Sequence, residues 1–192
     1  MKILQKCSIN APPQAVWTFL TDPYQVVSCL PGATITEKID DRTYAGTITV
    51  KVGPVLATYK GRICFERLAP DIYEAEITGR GQEEKGKGGV EIRMENHLYA
   101  LESGGTEVTV SAEVNLIGLL AQFGRGVIQD VSDHLFQQFT ASMKTKLEAG
   151  PPGDRPHPPA QAEYVNVLSF GSRAFGRAIG RLLRRIFRFS KS

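Results

Sequence analysis

The sequence predicts an α+β fold, in which a curved antiparallel sheet wraps one long C-terminal helix and a linker and amphipathic tail helix follow. Three observations predict it. Between residues 43 and 116, apolar and polar residues alternate in successive short runs. Period-two alternation marks strands with one wet and one dry face, as in an antiparallel sheet covered on one side. From residue 116 to 147 the spacing changes to threes and fours, with Leu120, Val127, Ile128, Val131, Leu135 and Phe139 on one stripe. That stripe is the expected cover for the dry face. Beyond it, residues 150–163 hold five prolines and two glycines, which no helix or central strand tolerates.

The elements follow in order. A strand over about residues 2–9 runs into Asn10-Ala-Pro-Pro, where Asn10 reads as a helix N-cap with prolines in the first turn. The helix over 13–21 carries Val16, Trp17, Phe19 and Leu20, and a short second turn lies at 23–28. Leu30-Pro31-Gly32 breaks the pattern before six strands. Tyr44, Ile48, Val50 and Val52 share one face of the clearest early strand; Ala57, Tyr59, Ile63 and Phe65 share one face of the next. Tyr73, Ala75 and Ile77, then Val90, Ile92 and Met94, then Val108, Val110, Val114 and Leu116 continue the dry face. The glycine-rich stretch 79–89 reads as a flexible hairpin loop. Gly118, Gly124 and Gly126 are expected to loosen the first turns of the long helix, each costing about 1 kcal/mol relative to alanine.

Residues 1–149 are thus one domain, 150–163 a semi-rigid proline-rich spacer, and 164–192 a basic amphipathic helix. Charge divides at the same place. Seven of the 23 Lys and Arg, but none of the 20 Asp and Glu, fall in 164–192, so a mildly acidic domain carries a strongly basic tail. On a helical wheel Arg173, Arg177, Arg181, Arg184, Arg185 and Arg188 fall within an arc of roughly 120°. Phe175, Ile179, Leu182, Leu183, Ile186 and Phe187 take the other side. Such a helix suits the plane of an anionic membrane surface and is too polar to span a bilayer. The alternative is a helix packed on the domain with its arginines solvated. The N-terminal residues have no long apolar stretch, so no signal peptide is expected, and a cytoplasmic location, peripheral on the inner face of the cell membrane, fits.

Several chemistries lack their residues. Cys7, Cys29 and Cys64 are odd in number and have no CxxC spacing, so neither a disulfide framework nor a zinc site is expected. There is no GxGxxG, P-loop, HExxH or His/Cys ligand cluster, and no metal or covalently bound cofactor is predicted. His97, His134 and His157 lie far apart; His97, near a strand kink, is the one weak contender for a polar group in a cavity. Glu74, Glu76, Glu83 and Glu84 read as wet-face carboxylates rather than a catalytic pair. The basic tail has a broad apolar face and the domain no basic stripe, which argues against nucleic acid.

This element order, with Asp22-Pro23, then Cys29-Leu30-Pro31-Gly32-Ala33, then Gly124-Arg125-Gly126 opening a long helix, resembles the CoxG family of carbon monoxide dehydrogenase. That family belongs to the START-like, helix-grip (SRPBCC) superfamily of ligand-carrying domains. The resemblance implies a membrane-associated accessory protein of molybdenum hydroxylases such as carbon monoxide dehydrogenase, which docks the enzyme or passes it a quinone, and it does not imply catalysis.

A twisted sheet and a straight helix do not conform along their whole length, so a gap is expected between them. Its candidate lining is Trp17, Leu20, Tyr59, Ile63, Phe65, Tyr73, Ile77, Met94, Val110, Val114, Leu120, Phe123, Val127, Ile128 and Val131. For each alone, plain core packing is the simpler reading. Tyr59 and Tyr73 add phenols that need partners and suit the carbonyls of a non-covalently held quinone such as menaquinone. Two alternatives stay open: a pure docking protein whose interior is filled by side chains, and a polyketide cyclase-like enzyme, which needs a buried acid or base.

Overall fold

The computed structural model describes residues 1–86, 88–148 and 165–166. Strand β1 (Lys2–Ile9) leads into α1 (Pro13–Leu20) and α2 (Pro23–Val27). Helix α1 starts at Pro13, where fixed φ suits the first turn and no N–H is lost; the residue before it, Pro12, is extended and offers no side-chain cap. The cap expected from Asn10 is therefore displaced, because two prolines fix the helix start. Asp22 caps α2 instead, its carboxylate accepting the Tyr24 and Gln25 backbone N–H groups at 2.9 and 3.4 Å.

Six strands follow: β2 (Ala33–Lys38), β3 (Thr43–Val52), β4 (Val55–Ala69), β5 (Glu74–Glu83), β6 (Gly89–Ala100) and β7 (Thr106–Ile117). Neighbours pair antiparallel in the spatial order β1-β7-β6-β5-β4-β3-β2. A two-residue strand, β8 (Val165–Asn166), pairs parallel with Val50 and Lys51 of β3. Bulges between Ile35 and Glu37 in β2 and between Phe65 and Arg67 in β4 bend the sheet. Close backbone approach bends it further. Gly61 stands opposite both Gly46 and Gly81, and a Cβ on it would lie 2.1 Å from the Arg80 carbonyl oxygen.

The glycine-rich stretch is accordingly not one long loop. Gly79 and Gly81 belong to β5, and only residues 84–88 connect β5 to β6. Both glycines lie in the paired part of β5, a placement that local composition alone does not distinguish from a turn.

The long helix also starts later than its apolar spacing implies. Strand β7 continues to Ile117, a 3₁₀ turn spans Leu120–Phe123, and α3 runs Gly124–Glu148. Gly118 and Gly124 have φ of 92° and 79°, a left-handed backbone that a right-handed helix excludes. They punctuate the entry to α3 rather than soften its turns.

Register fixes which residues face α3. Gln5 of β1 donates to Asp133 of α3 at 2.5 Å, so the face that carries Gln5, Val110, Asn96 and Ala75 is the helix side. Three apolar clusters of buried residues occupy that side. One joins Val16, Trp17 and Phe19 of α1 to Ile9, Leu98, Val108 and Met143. A second gathers Val50, Val52, Ala57, Tyr59, Leu120 and Val131, and a third Tyr44, Phe65 and Ile77. A domain of this size normally has one contiguous core. Leu68 packs against both the first and the third of these clusters and joins them, while the second gathers near the start of α3.

Candidate ligand cavity between sheet and helix

The predicted lining residues are distributed over all three clusters. Trp17, Leu20, Tyr73 and Val110 lie with the α1 cluster; Tyr59, Leu120, Phe123, Val127 and Val131 lie together near the start of α3; Phe65, Ile77, Ile63 and Met94 form the third group. Ile128 is buried on α3. Val114 joins none of the clusters and is half-buried. Along the middle of the helix side, Ile63, Ile92, Met94, Val114 and Val127 are all only half-buried, although each faces inward or packs on a cluster. A close-packed interior would bury them fully. Gly79 stands between Ile63 and Ile92 without a side chain, and a Cβ on it would meet both at ordinary contact distance.

Two phenols expected to serve a ligand differ in setting. Tyr59 is 4% exposed, and its hydroxyl is buried with no hydrogen-bond partner among the described residues. Burial, and then the nearby Glu83 charge, push its pKa above the ordinary phenol value. The hydroxyl stays protonated and can donate. Tyr73 instead donates to Gln14 at 3.3 Å and packs against Trp17 with ring centroids 5.8 Å apart. Its phenol is already satisfied, at a backbone φ of 53° that few non-glycine residues adopt.

Sequence reading missed three polar groups on this side. Glu83 lies directly opposite Tyr59 in register, so its side chain is directed to the helix face and not to the wet face. Its carboxylate lies against the β5–β6 turn, where a Cβ on Gly86 or Gly88 would crowd it at 2.4 and 2.6 Å. Asn96 Oδ1 and Gln138 Oε1 are buried without partners among the described residues. Asn96 continues the Val90, Ile92, Met94 alternation, and Gln138 is seven residues after Val131, so both inward positions were present in the pattern. An unpaired buried polar group costs about 1–3 kcal/mol, which a ligand or water would relieve.

His97, Arg67, Glu74 and Cys7 are each engaged with other protein groups. His97 faces the outer surface, with Nδ1 3.2 Å from Glu74 Oε1 and its ring stacked on Tyr99, so it lines no cavity. Arg67 bridges Glu74 and Glu76 at 2.8 Å each and holds the Glu74 carboxyl below its ordinary range. Burial pushes the Cys7 thiol up, against opposing effects of a Thr140 hydrogen bond and the Lys144 charge. Among the described residues no three His, Cys, Asp or Glu side chains could hold a metal ion together. None of the described helices is long and apolar enough to cross a membrane. Arg173 to Arg188 and their apolar counterparts lie outside the described residues.

Against known families, residues 6–148 match the model for CoxG of carbon monoxide dehydrogenase. The chain belongs to the CoxG family. No curated protein matches it in sequence. Solved structures share its fold at low identity. A conserved protein from Geobacillus kaustophilus superposes with a TM-score of 0.71 at 17% identity, covering 78% of this chain and 96% of the other. A START superfamily protein from Mycobacterium smegmatis gives 0.52 at 8% identity, over 77% and 97%. The Zhui aromatase/cyclase from Streptomyces sp. R1128 gives 0.55 at 14%, over 78% and 98%. The CoxG domain described here is a START-like helix-grip fold, and such a fold is used by both binding proteins and enzymes.

Proposed function

We propose that this protein is a non-enzymatic, membrane-associated carrier of a hydrophobic molecule, with an isoprenoid quinone such as menaquinone as its ligand. It serves or docks a carbon monoxide dehydrogenase-type molybdenum hydroxylase. The observation that carries this reading is the incomplete burial of the inner face, where inward-facing Ile63, Met94 and Val114 are only half-buried. Apolar surface left unpacked on an inner face loses about 25 cal/mol per Å² that a ligand would restore. The unpartnered Tyr59 hydroxyl supports a ligand bearing a carbonyl. Tyr73 is withdrawn from that role, since its hydroxyl already donates to Gln14 Oε1.

The basic amphipathic segment within 164–192 would hold the domain at an anionic inner membrane surface, where a long apolar quinone resides. Mass spectrometry of an organic extract of the purified full chain tests the reading. An isoprenoid quinone at near-stoichiometric amount is the expected result. A chain that carries no apolar molecule leaves the docking role alone.

A further inference from the structure

The outer face of the sheet, opposite α3, is not uniformly solvated. A depression of about 980 Å³ crosses it from Thr43 on β3 to Glu113 on β7, and a second of about 470 Å³ adjoins it. Both are bordered by Arg62 and Arg80, which stand directly opposite each other on β4 and β5. Like charges opposed across a strand pair are destabilising. Arg80 has one partner, Glu91 at 3.3 Å, and Arg62 has no ion pair among the described residues. Two further carboxylates along the same depression are engaged in hydrogen bonds. Asp40 accepts the Arg42 and Thr43 backbone N–H groups at 2.7 Å each, and Glu66 accepts the Thr78 hydroxyl at 2.6 Å. Glu113 stands in register between Lys2 and Arg93. Beside the arginines, Ile39 and Ile117 line the smaller depression while 50% and 56% exposed.

We propose that this outer groove is a docking surface for an extended, acidic and apolar segment of a partner protein. A carboxylate of that segment lies between Arg62 and Arg80, and an aliphatic or aromatic side chain fills the notch at Ile39 and Ile117. Its dimensions favour a polypeptide over a small molecule. Five strands at about 4.8 Å spacing make a groove roughly 19 Å long, which about six extended residues would span. The arginine pair supplies specificity through paired charge-assisted hydrogen bonds. Because the groove faces away from α3, a partner can dock without entering the interior. The inference rests on the partner half of the function proposed above.

The test uses the full chain and purified carbon monoxide dehydrogenase holoenzyme from the same cells, with binding titrated at low and high salt. Arg62→Glu places opposite charges across β4 and β5, so this variant is expected to melt no lower than wild type. Its affinity for the enzyme is expected to fall about tenfold or more, since charge reversal opposes a matched anionic segment. Ile117→Asp should weaken binding as well, with the wild-type interaction itself falling as salt rises. Unchanged affinity in both variants overturns the proposal, as does a wild-type chain that does not bind the enzyme at either salt. Extracted apolar ligand is measured in the same samples. Its absence with docking intact faults the carrier reading and leaves the groove standing.

Discussion

At Tyr59 a single hydroxyl separates a stability effect from a binding effect. Replacing Tyr59 with Phe removes a buried group that has no partner among the described residues. The empty domain is expected to hold or gain up to about 1 kcal/mol, because an unsatisfied polar group leaves the interior. Retention of a quinone is expected to fall, and extraction of both variants in parallel measures the split. The same residue sets an alkaline limit. Its folded pKa lies above the unfolded value, so its contribution is fully present below the ordinary phenol range. It is lost as pH rises through the folded pKa. Urea titrations stepped upward from pH 9 should show a steeper alkaline loss in wild type than in Tyr59→Phe. Asn96→Leu and Gln138→Leu test the remaining unpartnered groups: each should leave the empty domain no less stable if nothing inside it bonds them.

At the level of elements, the close approach of β4 to β5 is geometry that single atoms enforce. Gly61→Ala places a Cβ 2.1 Å from the Arg80 carbonyl and 2.6 Å from the Gly81 Cα. Backbone cannot yield as a flexible side chain does, so a loss of at least about 2 kcal/mol is expected by chemical denaturation. Gly124→Ala meets no atom within 4 Å, yet φ 79° with ψ 166° is a backbone that essentially only glycine adopts, so a purely conformational cost of about 1–3 kcal/mol is expected. Filling the interior should act differently. Val114 and Val127 are half-buried, so Val127→Trp or Val114→Trp is expected to keep the fold and abolish co-purification of an apolar ligand. Wild-type ligand content in both variants removes the interior as the binding site.

For the whole molecule, the question is how the domain and the tail depend on each other. Only Val165 and Asn166 pair with the sheet among the described residues after 148, at Val50 and Lys51. Among the described residues, a chain ending at residue 150 loses that short pairing alone, and its melting temperature is expected to stay close to that of the full chain. A large drop would place the tail in the core. Vesicle co-sedimentation should distinguish two contributions in the full chain. Changing Arg177, Arg181 and Arg184 to Glu removes about 1 kcal/mol of attraction per charge at an anionic surface. Changing Leu182 and Ile186 to Ser removes apolar burial. Sedimentation that ignores both sets excludes a surface anchor.

Periodicity alone was enough for the α+β class, the dry face of β3 to β7 and the existence of α3, because period two and period three-to-four are local properties of the chain. The CoxG motifs, including Leu30-Pro31-Gly32-Ala33, were equally legible. Local patterns did not separate a glycine in a turn from one in a strand, so Gly79 and Gly81 became readable only with β4 and β6 beside them. Nor does a phenol reveal its partner: Tyr59 and Tyr73 look alike in sequence, and tertiary contact gave Gln14 to one and, among the described residues, none to the other. Pairing of Arg62 with Arg80 belongs to the same class. Whether like charges meet depends on strand register, a non-local quantity fixed by the bulge at Phe65 and by the close approach at Gly61.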